Sequence, residues 1–557
     1  MFEQMAAALE FKGENPYRIV AYRKAARALS ELPEDVEELW RRGALQAIPG
    51  IGQSIAAHIE EYLRTGRMRR YQEAMRGVPE GLLPLMAVPN LGPKTLALAH
   101  RELGVRDLEG LRRVIEDGSL ARLPGMGQKK VERIVQGLRL YEQSLQRTPL
   151  GQALPLVERL IAELRQRTGV EQVEAAGSLR RGRETVGDID ILAVGPPEMI
   201  REFVRLSPVR EVLAAGDTKA SVMVEGNVQV DLRVIPEASY GAALQYFTGS
   251  KAHNIKLRTI AKARGLKISE YGVFQGERCL AGRTEQEVYA ALGLPLIPPE
   301  LREDRGEIEA AQRGALPRLV CLEDIQGDLH VHSNWSDGVS TLEEIARKAR
   351  QLGYRYVAVC DHSQSVRYAG GLNLERLRKR NEEIRRLNER QDVVLLCGAE
   401  VDILQDGTLD YPEEVLRELD FVVAAIHSGF RRQVTERIIA AMQSPYVDVI
   451  AHPSGRLISS REGYEMDLER VLEAAARTGT ALEINASPDR LDLDDINARR
   501  AKELGVRLCL GTDAHGVGMM EWMRLGVTVA RRAWLEPADL LNCLPVEELL
   551  RNRKRGR

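Results

Sequence analysis

At 557 residues the chain is long enough for several domains of ordinary size, each with a core of its own. Hydrophobic residues make up 44% and charged residues 29%, and the net charge is −2, which excludes a globally basic nucleic-acid coat and leaves such contacts to local patches. Six scattered cysteines without a C-x-x-C pair argue against a disulfide framework or zinc ribbon, Met1-Phe2-Glu3-Gln4-Met5 starts no basic-then-apolar leader, and no apolar run approaches the roughly 18 residues of a membrane span, so a cytoplasmic protein without membrane contact is expected.

Residues 1 to about 145 read as helices joined by short Gly/Pro turns. Three turns are alike: Ile48-Pro49-Gly50-Ile51-Gly52, Val88-Pro89-Asn90-Leu91-Gly92 and Leu123-Pro124-Gly125-Met126-Gly127. Each precedes an amphipathic segment such as Gln128-Lys129-Lys130-Val131-Glu132-Arg133-Ile134. Glycine lets the backbone approach a phosphate closely, and the free N–H groups of the next helix start bind it. These turns resemble helix-hairpin-helix elements, which grip nucleic-acid backbone without reading sequence. Gly50, Gly52, Gly92, Gly125 and Gly127 are therefore the expected DNA-binding positions.

From about 146 to 236 strands interleave with helices. Gly177 to Asp190 reads G-S-L-R-R-G-R-E-T-V-G-D-I-D, and the apolar run Ile189 to Val194 suits a β-strand. Alternate strand residues share a face, so Asp188 and Asp190 point the same way. Asn227 to Val234 alternates like a second strand and offers Asp231 as a third carboxylate. Such hard oxygen ligands hold Mg²⁺ against a triphosphate. Gly177 and Ser178 close a strand-to-helix turn of the kind that presents backbone N–H groups to phosphate, and Arg180, Arg181 and Arg183 add positive charge. Between Thr248 and Arg283 eight Lys or Arg outnumber two Glu, which marks a basic patch.

The G-S-x(9)-D-x-D pattern resembles the nucleotidyltransferase palm signature. Tyr246-Phe247-Thr248-Gly249-Ser250-Lys251-Ala252-His253-Asn254 resembles the thumb motif of family X DNA polymerases, the DNA polymerase beta group. The likeness covers about the first 315 residues, and its two motifs occur in the family's order. It implies that Asp188 and Asp190 bind two metals and that Asp231 shares the catalytic one. It implies that Gly177, Ser178, Arg181 and Gly187 lie at the triphosphate. Tyr246, Phe247 and Gly249 would meet the sugar, Asn254 the base edge and Arg258 the template strand. There are departures: Gln229 replaces an arginine two residues before the third carboxylate, and Lys251 replaces a usual acidic residue. In the N-terminal part, which resembles the family's lyase domain, the nucleophilic lysine falls at His58 and an assisting lysine at Ser54. An imidazole cannot form a Schiff base, so abasic-site lyase activity is expected to be absent or very weak.

Leu294 to Pro299 and the charged run Arg302 to Arg313 read as a linker. Apolar runs then recur, each ending in polar residues: His330 and His332, Asp361-His362, Glu400, His427, His452, Asn485, and Asp513-Ala514-His515. Helical stretches separate them, so seven parallel strands with ligands at their C-terminal ends are expected, as in a distorted (β/α)₇ barrel. Six of the nine histidines of the chain fall at these ends. With carboxylates among them, the set suits Zn²⁺, Mn²⁺ or Fe²⁺ and phosphoester hydrolysis. The stretch from about 324 to 557 resembles the PHP (polymerase and histidinol phosphatase) domain. The resemblance implies nine ligands, namely His330, His332, Asp337, His362, Glu400, His427, His452, Asp513 and His515, and a manganese-dependent 3′-5′ exonuclease or related end-processing activity. The basic tail Arg551 to Arg557 reads as a solvated end.

The expected architecture is multidomain: all-α helix-hairpin-helix domains at 1–80 and 81–146, an α+β nucleotidyltransferase palm at 147–236, a thumb at 237–300, a linker at 301–323 and the PHP barrel at 324–557. The expected function is template-directed filling of short gaps in repair, joined to an end-processing nuclease. The expected cofactors are Mg²⁺ at the palm and Mn²⁺ or Zn²⁺, up to three ions, at the barrel. Gapped or primer-template DNA and dNTPs are the expected partners of a monomer. Two alternatives stand beside this reading: a PHP nuclease (exonuclease, abasic endonuclease or 3′-phosphatase) with a weak polymerase, and a DNA-end scaffold.

Overall fold

The computed structural model describes residues 1–30, 36–48, 50–88 and 90–554. Pro49 and Pro89 of the expected turns, and residues 555–557 of the basic tail, lie outside the described residues. Gly50 (φ 81°), Asn90 (φ 65°) and Gly125 (φ 72°) take the left-handed conformation at the same place in their three turns. Glycine meets no Cβ clash there, and asparagine tolerates the conformation better than most residues. Each turn feeds a helix: α1 (Gln53–Thr65), α2 (Pro93–Leu103) and α3 (Gln128–Gln146). Their apolar faces go into two separate cores. Met5, Leu9, Ile19, Ile55 and Ile59 belong to one, and Leu82, Leu91, Leu96, Leu111 and Ile134 to the other.

The next helix, α4 (Leu150–Thr168), packs on a five-stranded sheet made of β1 (Val173–Ala175), β2 (Ile189–Ala193), β3 (Val209–Ala215), β4 (Lys219–Val224) and β5 (Val228–Val234). The strand order is β1-β2-β5-β4-β3, with β2 and β5 parallel and the other neighbours antiparallel. Ile189 and Ile191 are fully buried toward α4, which leaves Asp190 on the other face. The thumb follows as α5 (Tyr240–Thr248), α6 (Lys251–Ala263) and an antiparallel sheet of β6 (Lys267–Ser269), β7 (Gly272–Gln275) and β8 (Arg278–Ala281).

The stretch expected as a linker is packed into the fold. Arg302 and Glu307 are both fully buried: Arg302 donates to Glu285 at 2.6 Å and to the Ile297 carbonyl at 2.8 Å, while Glu307 lies 2.7 Å from His253 Nδ1. Charges can be buried when each is paired and hydrogen bonded, and both partners here lie far enough back in the chain that no local pattern announces them.

The C-terminal half is a seven-stranded parallel sheet in sequential order: β9 (Gly327–Val331), β10 (Tyr356–Val359), β11 (Val394–Asp402), β12 (Phe421–Ala425), β13 (Val449–Ile450), β14 (Ala481–Asn485) and β15 (Leu508–Gly511). A parallel bridge from Val331 to Ala514 brings the last strand's end back to the first. One strand differs from its expected form. β11 does not stop before Glu400 but runs on to Asp402, pairing first with β10 and then with β12. The core beneath the palm sheet is continuous with the barrel's core. Helices α7 (Asp495–Glu503) and α8 (Met523–Arg532) lie on the barrel's outer side. Among the described residues no helix is long and apolar enough to cross a membrane.

Candidate functional site

In the palm, β2 and β5 set Asp190 directly opposite Asp231. Asp188 precedes the strand and is exposed, Asp190 is half-buried and Asp231 is buried. Burial, with Asp188 and then Asp231 as like charges, pushes the Asp190 carboxyl up to about 6. Asp231 behaves oppositely: burial would raise it, but hydrogen bonds from Lys219, Ser221 and Gln229 outweigh that and hold it below the usual carboxylate range. Lys219 Nζ is 2.7 Å from Asp231 Oδ2, and Gln229 Nε2 donates to Oδ1 at 3.1 Å. Arg233 Nε stands 3.8 Å from Asp190. The cation absent from position 229 is thus supplied across the ladder by Lys219 of β4, which sequence reasoning missed because the register of β4 against β5 is a tertiary fact. Asp190 and Asp231 side by side on neighbouring strands, with Asp188 just before the first of them, are hard oxygen donors of the kind that suits divalent cations.

A proton and a cation compete for these carboxylates, so cation uptake weakens as pH falls through about 6. Lys219→Met removes the strongest force lowering Asp231, and its carboxyl must rise. The acid limb of the pH–rate profile for single-nucleotide extension is expected to move to higher pH in Lys219→Met. A limb that stays in place, in stopped assays between about pH 5 and 8, would contradict this.

Gly177 (φ 63°) turns the chain so tightly beside β2 that a Cβ there would lie 3.3 Å from Asp190 Oδ2. Ser178, Arg181 and Gly187 are all half-buried on this turn. Arg181 donates from Nε to Glu303 at 3.0 Å and from Nη1 to the Thr248 carbonyl at 2.6 Å, which ties the turn to the end of α5. Gly249 has φ 71°. Tyr246 and Phe247 meet edge to face at 5.2 Å, and Arg233 lies 4.4 Å over the Phe247 ring. The Asn254 amide is oriented by Gln245, which donates to its oxygen, and by the Tyr246 carbonyl, which accepts from its nitrogen, both at 2.7 Å. Arg258 is exposed on α6, and Gly50, Gly52, Gly92, Gly125 and Gly127 are exposed in their turns.

At the barrel rim, eight of the nine expected ligands fall into three groups: His332, Asp337, His362 and His515; His330, His332 and Asp513; and His362, Glu400 and His427. Within each group the ligand atoms lie within 4.8 Å of one another. The ninth, His452, places Nε2 3.0 Å from Glu400 Oε1. His452 (φ 29°) and Asp513 (φ 54°) both occupy the left-handed region, strain that a packed site sustains in order to aim a side chain. The donor chemistry fits divalent cations, since Nδ1 of His332, His427 and His452 is buried without a hydrogen-bond partner.

The facing charges shift these groups strongly. Burial would lower His427, but Glu400 and Asp402 push it up to about 10. Burial also opposes His330, yet Glu483, Glu400 and Asp513 raise it well above its usual value. Burial together with His515 and His362 drives His332 down to about 4. Glu400 and Asp513 are held well below the carboxylate range against the effect of their own burial.

Three buried groups behind the ligands were given no role in the sequence reading. Glu483, inside β14, takes His330 Nδ1 at 2.7 Å and the His452 backbone N–H at 2.6 Å, which fixes the His330 tautomer and frees Nε2 for a cation. Asp402 accepts the His427 backbone N–H at 3.0 Å. Asp361 accepts from Ser333, Ser336 and Arg380. An acid inside an otherwise apolar, fully buried strand was the available signal for Glu483.

Four family models match the chain. They are a helix-hairpin-helix domain at residues 1–68, a SAM-like helix-hairpin-helix tandem at 82–140, the DNA polymerase beta thumb at 243–303 and the PHP domain at 328–487. Among curated proteins, the DNA polymerase/3′-5′ exonuclease PolX of Bacillus subtilis (strain 168) is 42% identical over 559 residues, covering 99% of this chain and 97% of that protein. A probable phosphatase of Thermoanaerobacter sp. (strain X514) is 34% identical over 206 residues, 34% of this chain and 78% of its own. DNA polymerase lambda of Rattus norvegicus is 26% identical over 334 residues, 54% of this chain and 55% of its own.

Proposed function

Because the chain belongs to the bacterial family X DNA polymerases that carry a C-terminal PHP domain, we infer that it fills short gaps in DNA with dNTPs and trims 3′ ends at a second, separate site. The observation that carries this is the in-register pairing of Asp190 with Asp231 in one domain while nine imidazole and carboxylate ligands gather in another. Both centres use divalent metal. We assign Mg²⁺ to Asp188, Asp190 and Asp231, and Mn²⁺ or Zn²⁺, up to three ions, to the barrel ligands; the hard oxygen set and the mixed imidazole-carboxylate set support that division. When bound, such ions supply Lewis acidity and a nucleophile at neutral pH.

The chain's own residues do the remaining work. Gly177, Ser178, Arg181 and Gly187 would hold the triphosphate, with backbone N–H groups and a guanidinium aligned before reaction. Tyr246, Phe247 and Gly249 would seat the sugar, and the pre-oriented Asn254 amide would meet the base edge. Asp231, kept ionised by Lys219 and Gln229, would receive the primer 3′-hydroxyl proton. The exposed glycine turns and Arg258 would run along the DNA backbone. The domain division 1–80, 81–146, 147–236, 237–300 and 324–557 is supported by the separate helical cores, with 301–323 as a packed connection. We take a monomer acting in the bacterial cytosol as the working form.

A labelled primer on a one-nucleotide-gapped duplex, with Mg²⁺ or Mn²⁺ and with or without dNTPs, tests the reading. Extension with dNTPs and shortening without them are expected. A protein that binds this DNA but does neither would be a scaffold, and one that only shortens would be a nuclease.

The lyase expectation has a separate test. His58 is half-buried, and its ring lies 6.4 Å from the Tyr22 ring. The exposed Lys24 backs the Gly50 turn, its Cβ 3.9 Å from where a Gly50 Cβ would stand. Borohydride is expected to trap no adduct with a 5′-deoxyribose phosphate end. A trapped adduct that disappears in Lys24→Ala would show that another amine has taken over the role.

A further inference from the structure

The palm's phosphate turn is docked against the barrel. Arg532, at the end of α8 and 4% exposed, donates from Nη1 to the Arg181 carbonyl at 2.6 Å and to Glu303 Oε1 at 3.0 Å, and from Nη2 to Asp495 Oδ2 at 2.9 Å. The same Glu303 oxygen accepts Arg181 Nε. Asp495, at the start of α7, also accepts Arg305 Nη1 at 2.7 Å. Three guanidiniums therefore share two carboxylates, and the cluster keeps one positive charge in excess. At the far end of the turn, the barrel's Arg456 pairs with Glu184 at 2.7 Å. Between these two anchors Gly182 comes so close to α8 that a Cβ would lie 2.2 Å from Thr528 Cγ2.

Nothing in nuclease chemistry needs these contacts, because Arg532 touches none of the barrel's nine ligands. Their effect falls on Arg181. With Nε and Nη1 both committed, its guanidinium cannot wander, and the entropy of ordering a long side chain is lost before the ligand arrives rather than on binding. We propose that Arg532 is a positioning residue of the polymerase site: the PHP barrel, through Arg532 and Glu303, holds Arg181 in the orientation that receives the triphosphate of the incoming dNTP. The proposal rests on the reading of Arg181 as a triphosphate contact.

The test is single-turnover gap filling against dNTP concentration by the full-length protein, comparing wild type, Arg532→Met, Arg532→Lys, Arg181→Ala and the Arg532→Met/Arg181→Ala pair. Arg532→Met is expected to weaken dNTP binding by about tenfold, with a much smaller change in maximal rate. Arg532→Lys should recover part of the loss, since it keeps the charge but not the three-way fork. The double variant should bind dNTP no worse than Arg181→Ala, because both changes remove one interaction. Mn²⁺-dependent shortening of a single-stranded 3′ end should proceed at the wild-type rate in Arg532→Met, which also reports an intact barrel. Unchanged dNTP binding in Arg532→Met, full additivity in the double variant, or parallel loss of both activities would each overturn the proposal. If wild type extends the primer but Arg181→Ala binds dNTP normally, the triphosphate reading falls and takes this inference with it; the polymerase assignment then still stands.

Discussion

Replacing Asp188 and Asp190 together by alanine is expected to cut primer extension by roughly a thousandfold or more, while 3′ shortening in Mn²⁺ without dNTPs stays near wild type. Charge stabilisation by bound metal is worth several kcal/mol in a transition state, and each 1.36 kcal/mol is about tenfold in rate. Asp190 lies directly opposite Asp231 and already resists ionisation, with its carboxyl at about 6 because of burial and the Asp188 charge. Two fewer carboxylates leave Asp231 facing Lys219 at 2.7 Å, an ion pair that is satisfied without any metal. The variant should therefore fold, bind gapped DNA and fail to extend it. Quench-flow extension beside a binding assay measures this, and extension within about tenfold of wild type would remove these residues from the catalytic role.

Glu400→Gln is expected to have an effect of similar size on the other activity. One carboxylate here faces five imidazoles: His362 Nδ1 at 2.8 Å, His452 Nε2 at 3.0 Å, His427 Nε2 at 3.2 Å, and His330 and His332 Nε2 at 3.6 Å. Neutralising it at constant shape removes the anion around which the ring nitrogens gather, so metal content should fall and nuclease activity drop by roughly a thousandfold. His427 reports the change independently. Glu400 is the first carboxylate holding that imidazole near 10, so its protonation should move toward neutral pH in the variant, visible in the ring-proton NMR titration of the metal-free protein. Primer extension should survive, because no palm ligand touches Glu400. Full nuclease activity with full metal content would exclude Glu400 as a ligand.

Much of the site was legible because its chemistry is written at short range. Asp190 follows from strand period two, whereas Asp188, expected on the same strand face, lies just before the strand, which starts at Ile189. The barrel histidines follow from the rule that polar residues ending buried parallel strands collect at one rim. The glycine turns follow from φ, and Asn90 shows the limit of that reading, since it takes the same left-handed conformation as Gly50 and Gly125 without being glycine. Where the sequence misled, the missing information was a distant partner. Arg302 and Glu307 read as part of a charged linker, yet both are buried because Glu285 and His253 pair with them in the thumb.

By itself, then, the sequence put forward the order of the domains, the three palm carboxylates as a candidate set and the nine barrel ligands as another, because each member sits in a short motif or at the end of an apolar run that can be read locally. Tertiary structure alone decided that Lys219 answers for Gln229, that Glu483 fixes His330, and that Arg532 of the barrel grips the turn carrying Arg181. Those contacts join residues 12, 153 and 351 positions apart. Their energies come from burial and pairing across elements whose register and docking no local periodicity encodes.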